Sequence, residues 1–240
     1  MLTMMKNNRG FTLPEVLVAM VVGMIILTAI YAAVISGQRS SGAIQRKVTT
    51  FQDARAALEL MAAEIQMASY NPNLTTGIWR AANACNSTSG SQTNRGIQAA
   101  DPNFITIEWW NDALTIPALE IITYTYLGDA ANLRITRGTN CGAAQPFLGG
   151  ALADGSITTR VMNDINMNGS FDGGDIPVFR YFNGSGTEIL PASLSTHISD
   201  IARIEIALVV ETQDFEPGTN QRRRMIYSTS VIPRNHVVNQ

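Results

Sequence analysis

Lysine is scarce in this chain: Lys6 and Lys47 are the only two among 240 residues. Arginine supplies the rest of the 17 basic residues, against 19 acidic ones, for a formal net charge of −2. That balance leaves no electrostatic footprint for nucleic acid, and no nucleic-acid partner is expected. Charged residues of both signs make up 15% of the chain, against about 25% in an average globular protein. Histidine is limited to His197 and His236, too far apart in sequence to suggest a zinc or triad site. No G-x-x-x-x-G-K-[ST], G-x-S-x-G, H-E-x-x-H or C-x-x-C occurs, which removes the phosphate-cradling loop, the nucleophile elbow and the common zinc and dithiol motifs. Glu108 and Asp112 are the nearest thing to an acid–base pair, and nothing in the sequence brings them together. An enzyme is not expected.

The missing charge is concentrated in one place. From Val16 to Ile35 run twenty residues without a charged side chain. At about 1.5 Å per residue, such a helix reaches about 30 Å, enough to cross a bilayer. Lys6 and Arg9 precede it, which orients the N-terminus to the cytoplasm and the body outward. A secretory signal would place its small-residue cleavage site after the apolar run. Ser36-Gly37 and Ser40-Ser41-Gly42-Ala43 do follow it, but the sharper pattern lies before it: Gly10-Phe11-Thr12-Leu13-Pro14-Glu15. A carboxylate at the head of a membrane helix is costly, so Glu15 is a candidate functional residue. The plain alternative is an interfacial Glu favoured by the helix N-terminus. Pro14 is tolerated in a first helical turn.

This segment, GFTLPEVLVAM, resembles the type IV prepilin signature. The resemblance implies cleavage after Gly10 by a prepilin peptidase and methylation of the new amine of Phe11. It implies that Glu15 meets the N-terminal amine of a neighbouring subunit during assembly. Its implied partners are that peptidase, other major and minor pilins, the inner-membrane assembly platform and membrane lipid. The implied location is the inner membrane as a single pass, with a periplasm-facing head, and the pilus filament or its tip after assembly. Loss of Lys6 and Arg9 with the leader would make the mature chain more acidic by two charges.

Beyond Gly37 the pattern turns amphipathic. Ile44, Val48, Phe51, Leu58, Met61, Ile65 and Ala68 recur at helical spacing, and Asn71-Pro72-Asn73 stops the run. One helix from Leu13 to Tyr70 is expected, with Gly37 and Gly42 as the places where an anchor could break from a second helix. The expected organisation is a leader over 1–10, a membrane and filament-core helix over 11–37, an amphipathic half over 38–70 and a β-rich head over 71–240.

The head reads as strands and turns. Residues 74–100 look like loop, with Trp79 as an anchor. Strands are expected over Phe104–Trp110, Glu120–Leu127, Asn132–Gly138, Val178–Asn183, Thr187–Leu190, Ile201–Thr212 and Arg222–Pro233, with a hairpin at Gly128-Asp129 and a loop through Glu216-Pro217-Gly218. One of Trp109 and Trp110 should face the core, because neighbours on a strand point opposite ways. Arg222-Arg223-Arg224 reads as a solvated strand end. The fold class is α+β: a long N-terminal helix packed on a mostly antiparallel sheet. That layout resembles the PilW-like minor pilins and the related J-type pseudopilins of type II secretion. The implied function is a non-catalytic minor pilin taking part in pilus assembly or initiation. A type II pseudopilin and a membrane-anchored binding or adhesive module are the alternatives.

Two features of the head carry chemistry. Cys85 and Cys141 are the only cysteines. In an exported body a disulfide between them is permitted, worth about 4 kcal/mol by loop-entropy arithmetic; two free thiols are the alternative. The second feature is Asp164 to Asp175. Oxygen-bearing Asp164, Asn166, Asn168, Asp172 and Asp175 stand at positions 1, 3, 5, 9 and 12 of a twelve-residue calcium loop, with Gly169 at position 6 and the Ser170 carbonyl at position 7. Odd-numbered side chains in such a loop converge on one centre, and three Asp together repel without a cation. A structural Ca²⁺ is expected there. Asp175 replaces the usual bidentate Glu, and no helix flanks the loop. A metal-free Asn/Asp/Gly turn is the alternative.

Overall fold

The computed structural model describes residues 10–79, 94–114, 118–150, 159–212, 215 and 221–236. The leader before Gly10, Cys85 and the Glu216-Pro217-Gly218 loop lie outside them. Chain contacts divide into two compact units, residues 1–45 and 46–240.

Helix α1 spans Leu13–Met67, 55 residues, and neither Gly37 nor Gly42 interrupts it. Its start holds one half of a capping box: the Glu15 carboxylate reaches back to accept from both the Thr12 N–H and the Thr12 hydroxyl at 2.8 Å. Its end falls three residues earlier than Tyr70. Ser69 takes a left-handed φ of 67°, which a helix cannot contain, and its N–H bonds to Glu108 O at 2.9 Å instead.

In the first unit no residue from Gly10 to Gln45 is buried. Its large apolar side chains, from Leu13 to Val34, are exposed, and the helix is long and apolar enough to cross a membrane. In the second unit α1 buries Thr50, Ala54, Ala57, Leu58, Met61 and Ile65. These fall at helical spacing and form one face. Val48, expected on that face, is 45% exposed, and Ile44 in the first unit is exposed as well. The buried stripe begins at Thr50, because only from there does the head offer anything to bury against.

The head contains ten strands among the described residues, all paired antiparallel, in two sheets. The first is a meander of β1 (Ile97–Ala100), β2 (Phe104–Asn111), β3 (Ala118–Leu127), β4 (Arg134–Thr139) and β5 (Gln145–Gly149). The second is ordered β10-β9-β7-β8, where β7 is Phe179–Phe182, β8 is Glu188–Ile189, β9 is Arg203–Thr212 and β10 is Arg224–Val231; β6 (Thr159–Val161) also pairs with β9. Strand β9 is thus the hub of its sheet. It is paired along one edge by β10 and along the other by β7 and then β6.

One apolar core joins helix and sheets: Met61 and Ile65 of α1, Ile107, Tyr124 and Ile135 of the meander, and Phe179, Ile204 and Leu208 of the second sheet. Between α1 and the meander sits a charged clamp. Arg137 grips Glu64 through two hydrogen bonds, Nη2 to Oε1 at 2.6 Å and Nε to Oε2 at 3.1 Å, and Tyr124 donates its hydroxyl to the same carboxylate. Pairing and burial satisfy one another there. The bidentate fork uses the guanidinium geometry fully.

Strands β1, β5 and β6 and two 3-10 helices, Pro191–Thr196 and Ile198–Asp200, were not in the sequence reading. Of the two tryptophans, Trp109 is buried and Trp110 half-buried. Trp79 is also buried, as its anchoring role required.

Candidate functional site

At the N-terminus Gly10 and Phe11 precede the helix, and Phe11 is 88% exposed. The bond between them therefore lies outside the helix, on exposed chain open to a second molecule. Glu15 lies one turn on, exposed, with Thr12 its recorded hydrogen-bond partner. Both Thr12 and Glu15 lie after the Gly10–Phe11 bond, so this half of the box survives a cut there. The T-x-x-E spacing would have revealed it in the sequence.

The loop from Asp164 to Asp175 is built on the head by a residue the sequence reading passed over. Asn163 is buried, and its side-chain amide is fully used. Nδ2 donates to Ile176 O at 3.0 Å and Ala207 O at 2.9 Å, while Oδ1 accepts from Val209 N at 2.9 Å. Its backbone O also accepts from Ile176 N at 2.9 Å. One asparagine therefore closes the base of the twelve-residue loop and ties that base to β9. An Asn immediately before a D-x-N-x-N-G run was the available signal, though nothing in sequence distinguishes it from its neighbours.

The loop's other support is the β3–β4 turn. Tyr126 accepts from Asp164 N at 2.9 Å and donates to Val161 O at 3.1 Å. Burial pushes the Tyr126 phenol up to about 12, so it stays a donor. Gly128 lies directly beneath Asp164. A Cβ there would fall 2.6 Å from Asp164 Cβ and 2.8 Å from its Oδ2.

Within the loop the oxygens organise the backbone. The Asp164 carboxylate accepts from Met167 N at 2.6 Å and Gly169 N at 2.7 Å. Gly169 turns the chain with φ 82°. Asp175 accepts from Ile165 N and Asp172 N, both at 2.9 Å. Asn166 and Asn168 both aim their amides at Asp172, with N–O distances of 2.7–3.1 Å. These hydrogen bonds hold the Asp172 carboxyl below its ordinary range. Ser170 donates its N–H to the Asn168 side chain at 2.7 Å. The side chains at positions 3, 5 and 9 do converge. They meet as amide donors on a carboxylate, and among the described residues no three His, Cys, Asp or Glu side chains gather as a metal cluster. Rotation of the Asn166 and Asn168 amides would present oxygens in place of nitrogens, so the donor set is compatible with a hard cation.

Cys141 follows β4 at φ 63° and is not a free thiol. Glu108 and Asp112 are not brought together: Glu108 is buried and accepts from Gln98 Nε2 at 2.6 Å, while Asp112 is exposed. His236 forms a knot that the sequence did not announce. It is buried, with Nε2 facing Ile198 O at 3.0 Å and Nδ1 facing the Ser69 hydroxyl at 3.0 Å. Ser69 is buried as well, so the pair is a tether between the α1 terminus and the chain's end.

Comparison with known proteins bears on the N-terminus first. Residues 5–31 match the family described as the prokaryotic N-terminal methylation motif. Among solved structures the chain is similar to a type IV-like pilin from Thermus thermophilus, at 12% identity and a TM-score of 0.39, over 77% of this chain and 97% of that one. Comparison with curated proteins finds no match. The N-terminus thus carries the methylation motif, and the described chain sets one long helix ahead of antiparallel sheets.

Proposed function

We propose that this type IV prepilin-like chain is a non-catalytic minor pilin. A prepilin peptidase cuts it after Gly10, and it enters a type IV pilus during assembly or initiation. The observation that carries the reading is the methylation motif over residues 5–31, continuous with a helix whose first unit buries nothing of its own. A helix with that much bare apolar surface needs lipid, and then the helices of other pilins, around it.

The steps follow from the residues. Cleavage frees the Phe11 amine, and its methylation keeps a positive charge at the head of the helix. Glu15 is the acid nearest that head. In an apolar filament core the Thr12 hydrogen bonds alone leave its charge unbalanced, so the amine of a neighbouring subunit is its natural counter-ion. The positive flank at Lys6 and Arg9 sets the N-terminus on the cytoplasmic side, which puts the head in the periplasm and then on the filament. In that oxidising compartment Cys85 pairs with Cys141. A structural Ca²⁺ in the Asp164–Asp175 loop belongs to the same reading. It is supported by the oxygen pattern and by the convergence of Asn166 and Asn168 on Asp172.

The test is intact-mass spectrometry of the membrane-extracted chain, made with and without the prepilin peptidase, followed by detection of the chain in sheared pili. A peptidase-dependent loss of residues 1–10 with one added methyl group, and presence in the sheared fraction, are expected. An uncleaved chain, or cleavage beyond Ile35, overturns the reading.

A further inference from the structure

Strand β10 is paired on one side only. Its eight residues match β9 from Arg224↔Glu211 to Val231↔Ile204 without a shift in register. Among the described residues no strand pairs with its other edge. The hydrogen bond from Thr212 N to Arg223 O at 3.1 Å sets the alternation. Residues 225, 227, 229 and 231 turn their backbone groups to β9, while Arg224, Ile226, Ser228 and Ser230 turn theirs outward. The devices that usually protect an edge are missing: no proline, lysine or bulge falls within Arg224–Val231. Ile226 is 61% exposed.

The space beside this edge is also shaped. A groove of about 530 Å³ lies between Leu58, Ala62 and Gln66 of α1 and Tyr227 and Thr229 of β10. A strand added to β10 would lay alternate side chains into that groove and leave the others in solvent. The charge beside the edge leans positive. Arg222, Arg223 and Arg224 stand at the start of β10, against Glu211 at 3.7 Å from Arg224, while the Glu59 that lines the groove is paired with Arg55 at 2.9 Å.

We infer that the outer edge of β10 is a strand-addition site for an extended segment of another protein, with apolar residues at alternate positions and carboxylates flanking them. The main chain supplies the hydrogen bonds. The groove selects small apolar side chains, and the arginine run selects the acidic partner. This goes beyond the filament reading and does not depend on it, because every residue involved lies in the second compact unit, residues 46–240.

The experiment uses the full chain in detergent and two fluorescent ten-residue peptides. Each carries four Val-Thr repeats, flanked by a glutamate at both ends in one and by a lysine at both ends in the other. Fluorescence anisotropy should show the glutamate peptide bound at least tenfold more tightly. Ser228→Pro removes an outward N–H while leaving the β9 ladder intact, and should abolish binding; Ser228→Ala should not. The double variant Arg223→Glu/Arg224→Glu should reverse the preference and so tests the idea even if the proline variant fails to fold. Binding of neither peptide up to millimolar concentration, or equal binding of both, overturns the proposal. Self-association that Ser228→Pro abolishes, without peptide binding, would instead assign the edge to a second copy and overturn it too.

Discussion

Replacing Asn163 by alanine tests how the head holds its twelve-residue loop. The substitution removes one buried side chain that serves three backbone groups: the half-buried carbonyls of Ile176 and Ala207 and the buried N–H of Val209. Alanine fills part of the volume and replaces none of the hydrogen bonds. Each net loss is about 1 kcal/mol, and buried groups left without a partner push the figure upward, so about 3 kcal/mol is expected in total. For a head of this size, about 2–4 °C of melting temperature accompanies each kcal/mol, which predicts a drop of about 6–12 °C. Thermal unfolding of the full chain in detergent, followed by circular dichroism, reads it. Asn183→Ala is the comparison. That side chain also accepts three hydrogen bonds, from Ser185 N, Ser185 Oγ and Thr187 N, but in an exposed turn where water substitutes. It should shift the midpoint by less than a third as much. Limited proteolysis should then cut Asn163→Ala within residues 164–175 before any other described segment. An Asn163→Ala midpoint within about 2 °C of the parent would refute the reasoning, since a three-bond buried staple cannot be lost so cheaply.

Three further outcomes follow from the same geometry. A Gly128→Ala variant drives a Cβ against the Asp164 side chain and should cost about 1–3 kcal/mol by overpacking; an unchanged melting midpoint counts against the docking of the loop on the β3–β4 turn. Burial lowers the His236 pKa below its usual 6.5, with carbonyls of Ile198 and Arg95 and the charge of Asp200 facing it. The neutral form is the folded form, so its contribution is complete above pH 6.5 and is lost as pH falls below that value. His236→Phe should therefore show a smaller fall in melting temperature between pH 7.5 and pH 5 than the parent, and an equal fall would exclude the buried imidazole as the cause. Calcium at millimolar concentration should raise the melting midpoint and Asp164→Asn should erase the rise; a chelator-insensitive midpoint in the parent would leave the loop a self-bonded turn.

The sequence disclosed the long strands with an apolar face, and also the two-residue β8 within the expected Thr187–Leu190. Phe104–Asn111 and Arg203–Thr212 alternate over eight and ten residues, and both were legible to within two positions. Ile97–Ala100 has only four residues and takes its partner from β2 across a register shift, so nothing local marks it. Gln145–Gly149 hides behind Pro146, which reads as a turn and is tolerated because β5 is the edge of the meander. Val48 belonged to the helical pattern but met no surface to bury it. In the loop, the spacing of oxygen side chains was visible at once. Its support was not, because Asn163, Tyr126 and Gly128 act through contacts across 13 to 46 positions.

The order of the strands also sets an order in time. Each meander strand finds its partner next in the chain, so β1 to β5 can pair in the order in which they appear. The second sheet cannot. Strands β6, β7 and β8 precede β9; β6 has no ladder until β9 has arrived, and β7 has only its two-pair hairpin with β8. The head therefore waits part made, with Phe179 and Tyr181 short of their cover, until residues 203–212 are in place. Pulse-labelled hydrogen exchange should find the meander amides protected before those of β7 and β9; simultaneous protection would show that the two sheets close as one. A chain stalled before Thr212 would present that bare apolar surface to its surroundings, and the moment of greatest risk in its life is set by where β9 falls in the sequence.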